Sequence, residues 1–269
     1  MFKTPKVTMF STLGIRFIMP IRTGIRLMAT LSFLLILASC SKTYTVEGTS
    51  TVARIDGKKM VLRTMKNGEW VAVDSADVEH GLFRMSGPID SARMVALFLD
   101  GENVMPLVLE RGTVEVTISN GLLEAKGTPL NEQLYTFIRK RNEMEMKIEE
   151  LDRREARLIM EGGDADAIHA EVVKEGEVLV NEMNDYIKQF IRDNFQTVLG
   201  PSVFMMVCST LPYPIITPPI EELMKTAPME FKSDPLVKDF LEKARENKVL
   251  IEEQQRMQEN AALQAAKKR

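Results

Sequence analysis

The chain has 269 residues, of which 45% are hydrophobic and 27% charged, a globular rather than a disordered composition. Two cysteines and two histidines exclude a disulfide scaffold, a zinc-finger array and a multi-histidine metal centre. One Trp, four Tyr and a formal net charge of -3 argue against a nucleic-acid binder, so no nucleic-acid partner is expected.

Residues 1–39 carry Lys3, Lys6, Arg16, Arg22 and Arg26, no acidic residue, and a closing apolar run from Leu31 to Leu37 broken by Ser32. A positive stretch, a short apolar stretch and small residues before a cut form a secretory signal; the run is too short for a permanent membrane span. From Met19 onward the segment has the compact form of such a signal, so Met19 competes with Met1 as the start. Leu37-Ala38-Ser39-Cys40 resembles the lipobox of bacterial lipoproteins. That resemblance implies a diacylglycerol on the Cys40 thiol, cleavage before Cys40, and acylation of the new amino group, with palmitate as the expected fatty acid. Several acyl chains anchor firmly, at about 0.8 kcal/mol per buried CH₂. Surface-exported lipoproteins of this type share an acidic run after the anchor, and Ser41-Lys42-Thr43-Tyr44 has none. The expected location is therefore the cell envelope, on the outer membrane facing the periplasm. Loss of the leader leaves 30 basic against 38 acidic residues, a charge of about -8 that favours solubility.

From Tyr44 to Lys126 short apolar runs alternate with turn signals. The runs centre on Val46, Met60–Leu62, Trp70–Val73, Leu82–Met85, Met94–Leu99, Val104–Leu109, Val114–Ile118 and Leu122–Ala125. Asp56-Gly57, Asn67-Gly68, Asp100-Gly101 and Asn120-Gly121 are among the turns between them. About eight strands are predicted, in an antiparallel sandwich or small barrel.

After Pro129 the period becomes helical. Leu130, Leu134, Phe137, Met144, Ile148, Leu151 and Leu158 form one stripe, with Arg141 and Glu155 filling two of its slots. Glu161-Gly162-Gly163-Asp164 interrupts it, with Asp164 as a cap for a second helix carrying Ile168, Val172, Leu179, Met183, Tyr186 and Phe190. The two make a long antiparallel hairpin. Short helices are predicted over Val203–Ser209 and Ile220–Lys225, and Ser233-Asp234-Pro235 starts another. The expected class is α+β, divided as signal peptide 1–39, β domain 40–128, helical domain 129–251 and a polar helical or frayed tail 252–269.

Gly81-Leu82-Phe83-Arg84-Met85-Ser86-Gly87, Pro106-Leu107-Val108-Leu109-Glu110-Arg111-Gly112 and Gly127-Thr128-Pro129-Leu130-Asn131 stand in series. With Phe190–Asn194 and Phe231–Leu241, this text resembles lipoproteins of Bacteroides-type bacteria whose N-terminal domain of unknown function precedes a thioredoxin-like, thiol-disulfide oxidoreductase domain. The resemblance covers roughly residues 44–245, and the chain ends where that second domain is expected to begin. No Cys-x-x-Cys is present, and dithiol chemistry needs an attacking and a resolving thiol. The family's redox activity therefore passes to no residue here.

Cys40 is the one site residue expected, as a lipidation site; no catalytic, cofactor or metal residue is predicted. Cys208, among Met205, Met206 and Val207, reads as a buried hydrophobe. His80 sits in a turn and His169 on the second helix, too far apart for a metal site. Asp74-Ser75 reads as a turn cap, and Glu149-Glu150 and Glu221-Glu222 as solvated faces. Met205, Met206, Met224 and Met229 give the region after Gly200 an adaptable apolar character suited to core filling or to a partner. Arg153, Arg154 and Arg157 beside Glu149, Glu150 and Glu161 suit a salt-sensitive contact, so the hairpin is the expected element for a protein partner or self-association. The expected function is a non-catalytic, lipid-anchored binding or scaffolding lipoprotein. The alternative is a docking accessory of a separate thioredoxin-like oxidoreductase.

Overall fold

The computed structural model describes residues 42–66 and 68–267. Its first half is a sandwich of eight strands: β1 Thr43–Ser50, β2 Lys59–Lys66, β3 Glu69–Asp77, β4 Leu82–Pro88, β5 Arg93–Leu99, β6 Glu102–Leu109, β7 Gly112–Ile118 and β8 Leu123–Lys126. One sheet runs β4-β1-β7-β8 and the other β3-β2-β5-β6. The second half is helical: α1 Pro129–Met160, α2 Ala165–Asp193, α3 Leu199–Cys208, α4 Pro218–Thr226, α5 Met229–Lys232 and α6 Pro235–Lys267. The α+β class and the helical hairpin are as the patterns predict. Of the six strand pairings, five are antiparallel and one, β1 with β7, is parallel. The period-2 alternation is the same for either direction, so the sequence carries no mark of that pairing.

Alternation decides the core. Val46 on β1, Met60 and Leu62 on β2, Leu97 on β5, Leu107 on β6 and Val114 on β7 are fully buried between the sheets. Gly48 lies directly under Phe83, its register partner on β4; a Cβ at Gly48 would sit 1.9 Å from that ring, so only glycine fits. Tyr44 reaches across the sandwich and donates its hydroxyl to Asp74 of β3 at 2.9 Å. Asp74 also accepts from the Ser75 N–H at 2.8 Å. The turn-cap reading of Asp74 is thereby corrected: it lies inside a strand and ties the two sheets together. On the outer face of the second sheet, Phe98 is covered by the edge of Trp70, 5.1 Å between centroids, and by the Arg63 guanidinium at 4.6 Å.

Sandwich and helices are joined by side chains of α1 on the free edge of β6. The Val108 N–H donates to Asn131 Oδ1 at 2.9 Å, and its carbonyl accepts from Asn131 Nδ2 at 2.7 Å. The Pro106 carbonyl accepts from the Tyr135 hydroxyl at 2.9 Å, and proline has no N–H to satisfy. Asn131 and Tyr135 are four residues apart on a helix, about 6 Å along its axis. Val108 and Pro106 are two apart on a strand, about 6.8 Å. The two spacings match closely enough for α1 to stand in for a ninth strand. Glu110 fixes the start of the helix, its Oε1 accepting from the Leu130 and Asn131 N–H groups at 2.7 and 3.4 Å. Gly127, at φ +89°, makes the bend before it; a Cβ there would meet the Thr113 carbonyl at 2.7 Å.

The hairpin turns at Glu161-Gly162-Gly163, and Asp164 caps α2 through the Asp166 and Ala167 N–H groups at 3.1 and 3.2 Å. Asp234 caps α6 similarly, accepting from Leu236 at 3.0 Å. At the root of the hairpin Phe137 packs on Phe190 at 4.5 Å and on Tyr186 at 5.6 Å. Phe204 meets Phe231 and Phe240 edge-on, which locks α3 to α5 and α6. The polar tail continues as helix to Lys267.

Two outcomes follow for stability. Asn131→Leu leaves two buried backbone groups of Val108 without partners and should cost about 2–5 kcal/mol, read as a lower urea midpoint. Tyr44 is held neutral, its phenol pushed up from 10.0 to about 12, first by burial and then by the Asp74 carboxylate. The contribution of a raised phenol is complete below its ordinary value and fades as pH rises towards the folded one. Wild-type stability should therefore fall between pH 10 and 12, and Tyr44→Phe should flatten that decline while losing about 1 kcal/mol at pH 7.

Candidate functional site

Four elements of the helical half enclose a cleft of about 260 Å³. Ile187 and Ile191 of α2, Phe204 and Val207 of α3, and Ile220 and Leu223 of α4 supply its apolar wall. Arg141 and Glu145 of α1 and Lys188 of α2 supply its charged members. The segment after α3 is extended by Pro212 and Pro214, and its Leu211 closes one side. That segment is tied to α6 where Asn247 Nδ2 donates to the Pro214 carbonyl at 2.8 Å.

The wall formed by α4 is held against α2 by ion pairs. Lys188 Nζ lies 2.6 Å from Glu222 and 2.9 Å from Asp185, and Arg192 Nη2 lies 3.3 Å from Glu222. Hydrogen bonds from Lys188 and Arg192 hold the Glu222 carboxyl below the usual carboxylate range, and the bond it donates to Glu222 raises Lys188. A lowered carboxyl contributes above its ordinary value and loses that contribution as pH falls through the folded one, and a raised lysine loses its contribution as pH rises through its own, so this tie holds across neutral pH and loosens at either extreme. Glu221 and Glu222 are both exposed, in keeping with the reading of a solvated face, and Glu222 in addition fastens α4 to α2 through its ion pairs.

Cys208 is buried in the wall of the same cleft. Burial alone pushes its thiol up from 9.0 to about 12. Met183 also faces the cleft, while Met205, Met206 and Met224 pack partly buried against the core and Met229 is 72% exposed. The four methionines after Gly200 thus divide between core and solvent, and none of them lines the cleft.

The charged part of the hairpin is mostly self-contained. Arg153 pairs with Glu149 at 3.1 Å and Glu150 at 3.6 Å on its own helix. Arg154 instead reaches across to Glu175 of α2, and Glu155 meets His169 Nδ1 at 2.7 Å. Arg154 and Glu155 therefore stitch the hairpin internally. His80 sits in a turn at φ +53°, remote in the fold from any cluster of ligand types: among the described residues no three His, Cys, Asp or Glu side chains come together. Cys40 lies outside the described residues.

Arg141 is the site residue the sequence analysis passed over. Its signal was its position in an apolar stripe, where a charged side chain needs a reason. A wider groove of about 600 Å³ flanks the sandwich beside the bulge at Val104, but its Leu122 is 49% exposed and its Met146 68%. Those side chains stand in solvent, whereas those of the helical cleft are packed into a defined wall.

Fold and site define a β-sandwich clamped to a helical unit with an internal apolar cleft. Residues 44–134 match the family described as Domain of unknown function (DUF4369). No curated protein matches the chain. The matched stretch runs from the second residue of β1 to Leu134, so it contains Asn131 and stops one residue short of Tyr135, while the cleft lies in the remainder.

The thiol gives a direct test of the cleft's packing. In the full chain carrying Cys40→Ala, Cys208 should react with a disulfide reagent at pH 8 about a thousandfold more slowly than in denaturant, following its suppressed thiolate. A rate within tenfold of the denatured one would show the cleft to be open to solvent.

Proposed function

We infer that the mature chain is a lipid-anchored lipoprotein of the bacterial cell envelope, facing the periplasm from the outer membrane, with a non-catalytic binding or scaffolding role. The observation that carries the binding role is the apolar cleft, in whose wall the Cys208 thiol is held neutral by burial. A neutral, enclosed thiol is a packing group rather than an attacking one. Leu37-Ala38-Ser39-Cys40 supports the anchor. No helix among the described residues is long and apolar enough to cross a membrane. The exposed Arg153 and the neighbouring Arg157 make the distal hairpin the surface for a protein contact or self-association, with Arg154 reserved for the hairpin itself.

The second reading is a docking accessory of a separate thioredoxin-like protein. It rests on the motifs of residues 44–245 that resemble lipoproteins in which such a domain follows.

Cys40→Ala should abolish fatty-acid labelling and release the protein from the membrane fraction; undiminished labelling would sink the anchor. Crosslinking in intact cells separates the two roles: a thioredoxin-like partner supports the second reading, and any other bound molecule the first.

A further inference from the structure

We propose that the helical cleft binds a neutral acyl compound, its carbonyl oxygen accepting a hydrogen bond from Arg141 Nε and about ten carbons of its chain lying against α2, α3 and α4. This rests on the binding-module reading and names the ligand class of that site.

Three observations carry it. The first is size. A dry apolar cavity of about 150 Å³ takes a six-carbon ring, which scales to about ten carbons for this cleft. The second is an unpaid polar atom. Arg141 contributes to the wall, and its Nε is shielded from solvent and has no hydrogen-bond partner among the described residues. Glu145 Oε1 lies 3.0 Å from it but off the N–H direction, and the aligned bond in this pair runs from Nη2 to Oε2 at 3.4 Å. A buried donor without an acceptor is rare and calls for one. The third is charge. Arg141, Lys188 and Arg192 face Glu145, Asp185 and Glu222, three cations against three carboxylates. No net positive charge is left for an anionic head, and Glu145 beside Arg141 repels one. The fitting acceptor is therefore an uncharged carbonyl, as in an amide or ester, rather than a carboxylate.

The test uses the full chain carrying Cys40→Ala, so that no anchor or detergent competes. It is titrated calorimetrically, below micellar concentrations, with octanoyl- and decanoyl-N-methylglucamide. Octyl glucoside, which lacks the carbonyl, and sodium decanoate, which is charged, complete the series. The decanoyl amide should bind about tenfold or more tighter than the octanoyl amide, from two further methylenes. Octyl glucoside should bind about tenfold more weakly than the octanoyl amide, from the missing hydrogen bond to a charged donor. Arg141→Lys, which places no donor at Nε, should erase the amide–glucoside difference and keep the dependence on chain length. Val207→Trp should fill the cleft and abolish binding; its melting transition shows whether the fold is kept. Equal binding of amide and glucoside by the parent chain would overturn the proposal. So would tighter binding of decanoate than of the decanoyl amide, undiminished binding by a folded Val207→Trp variant, or no binding of any compound. Any of these with Cys40-dependent anchoring intact refutes the ligand class and not the lipoprotein reading.

Discussion

The free edge of β6 is the constraint on which the rest of the architecture depends. A sandwich of two open sheets has four edge strands, and an uncovered edge is a template for pairing with another chain. Here one edge is closed by a helix through side chains alone. Asn131 supplies a donor and an acceptor to Val108 as a neighbouring strand would, Tyr135 supplies a donor to Pro106, and proline removes the N–H that nothing could answer. The same contacts fix where α1 begins and in which direction it leaves the sandwich. The hairpin follows α1, and α3 and α4 complete the cleft against it, so the clamp sets the frame in which the cleft is assembled. The protection stops at Val104, which the register skips between Asn103 and Met105. There the helix no longer matches the strand.

Charge is used in the helical half for fastening more than for display. Arg154, Glu155, Lys188, Arg192 and Glu222 join helices to one another, at sites too exposed for each pair to contribute much alone. Their effect is geometric: they choose among packings that the apolar seams would tolerate equally. Arg141 and Arg192 each have an Nε shut away from both solvent and partner, and of the two only Arg141 lines the cleft.

Most of the architecture could be read from the chain. Eight apolar runs between glycine-containing turns gave the strands, and the capping residues Asp164 and Asp234 marked two helix starts that the backbone uses. What stayed hidden were relations between distant segments. The direction of β1 against β7 leaves no trace in alternation. Asn131 and Tyr135 stand in polar and apolar slots of an ordinary amphipathic helix, and only the strand beside them reveals their role. Asp74 reads as a turn cap and Glu222 as one carboxylate of a solvated face because their partners, Tyr44 and Lys188, lie 30 and 34 positions away. The cleft itself is made by the meeting of four helices and a proline-bent segment, which no local period encodes. Arg141 was the one legible sign, as a charge set in an apolar stripe.

The parallel pairing of β1 with β7 bears on how the chain reaches this state. Tyr44 is opposite Gly112, 68 positions later, and β1 is an inner strand of its sheet. The second sheet can start from two hairpins, β2 with β3 and β5 with β6, but the first cannot be finished until β8 has followed, at residue 126. Contacts of such long separation demand loop closure before they give anything back, and they slow folding. A chain that appears from its N-terminus can pair β1 with β4 once residue 88 has followed, but the other edge of β1 stays open until β7 is complete at residue 118. Folding is consequently expected to be rate-limited by closure of the first sheet, with the clamp and the helices after it forming late, on a platform already complete.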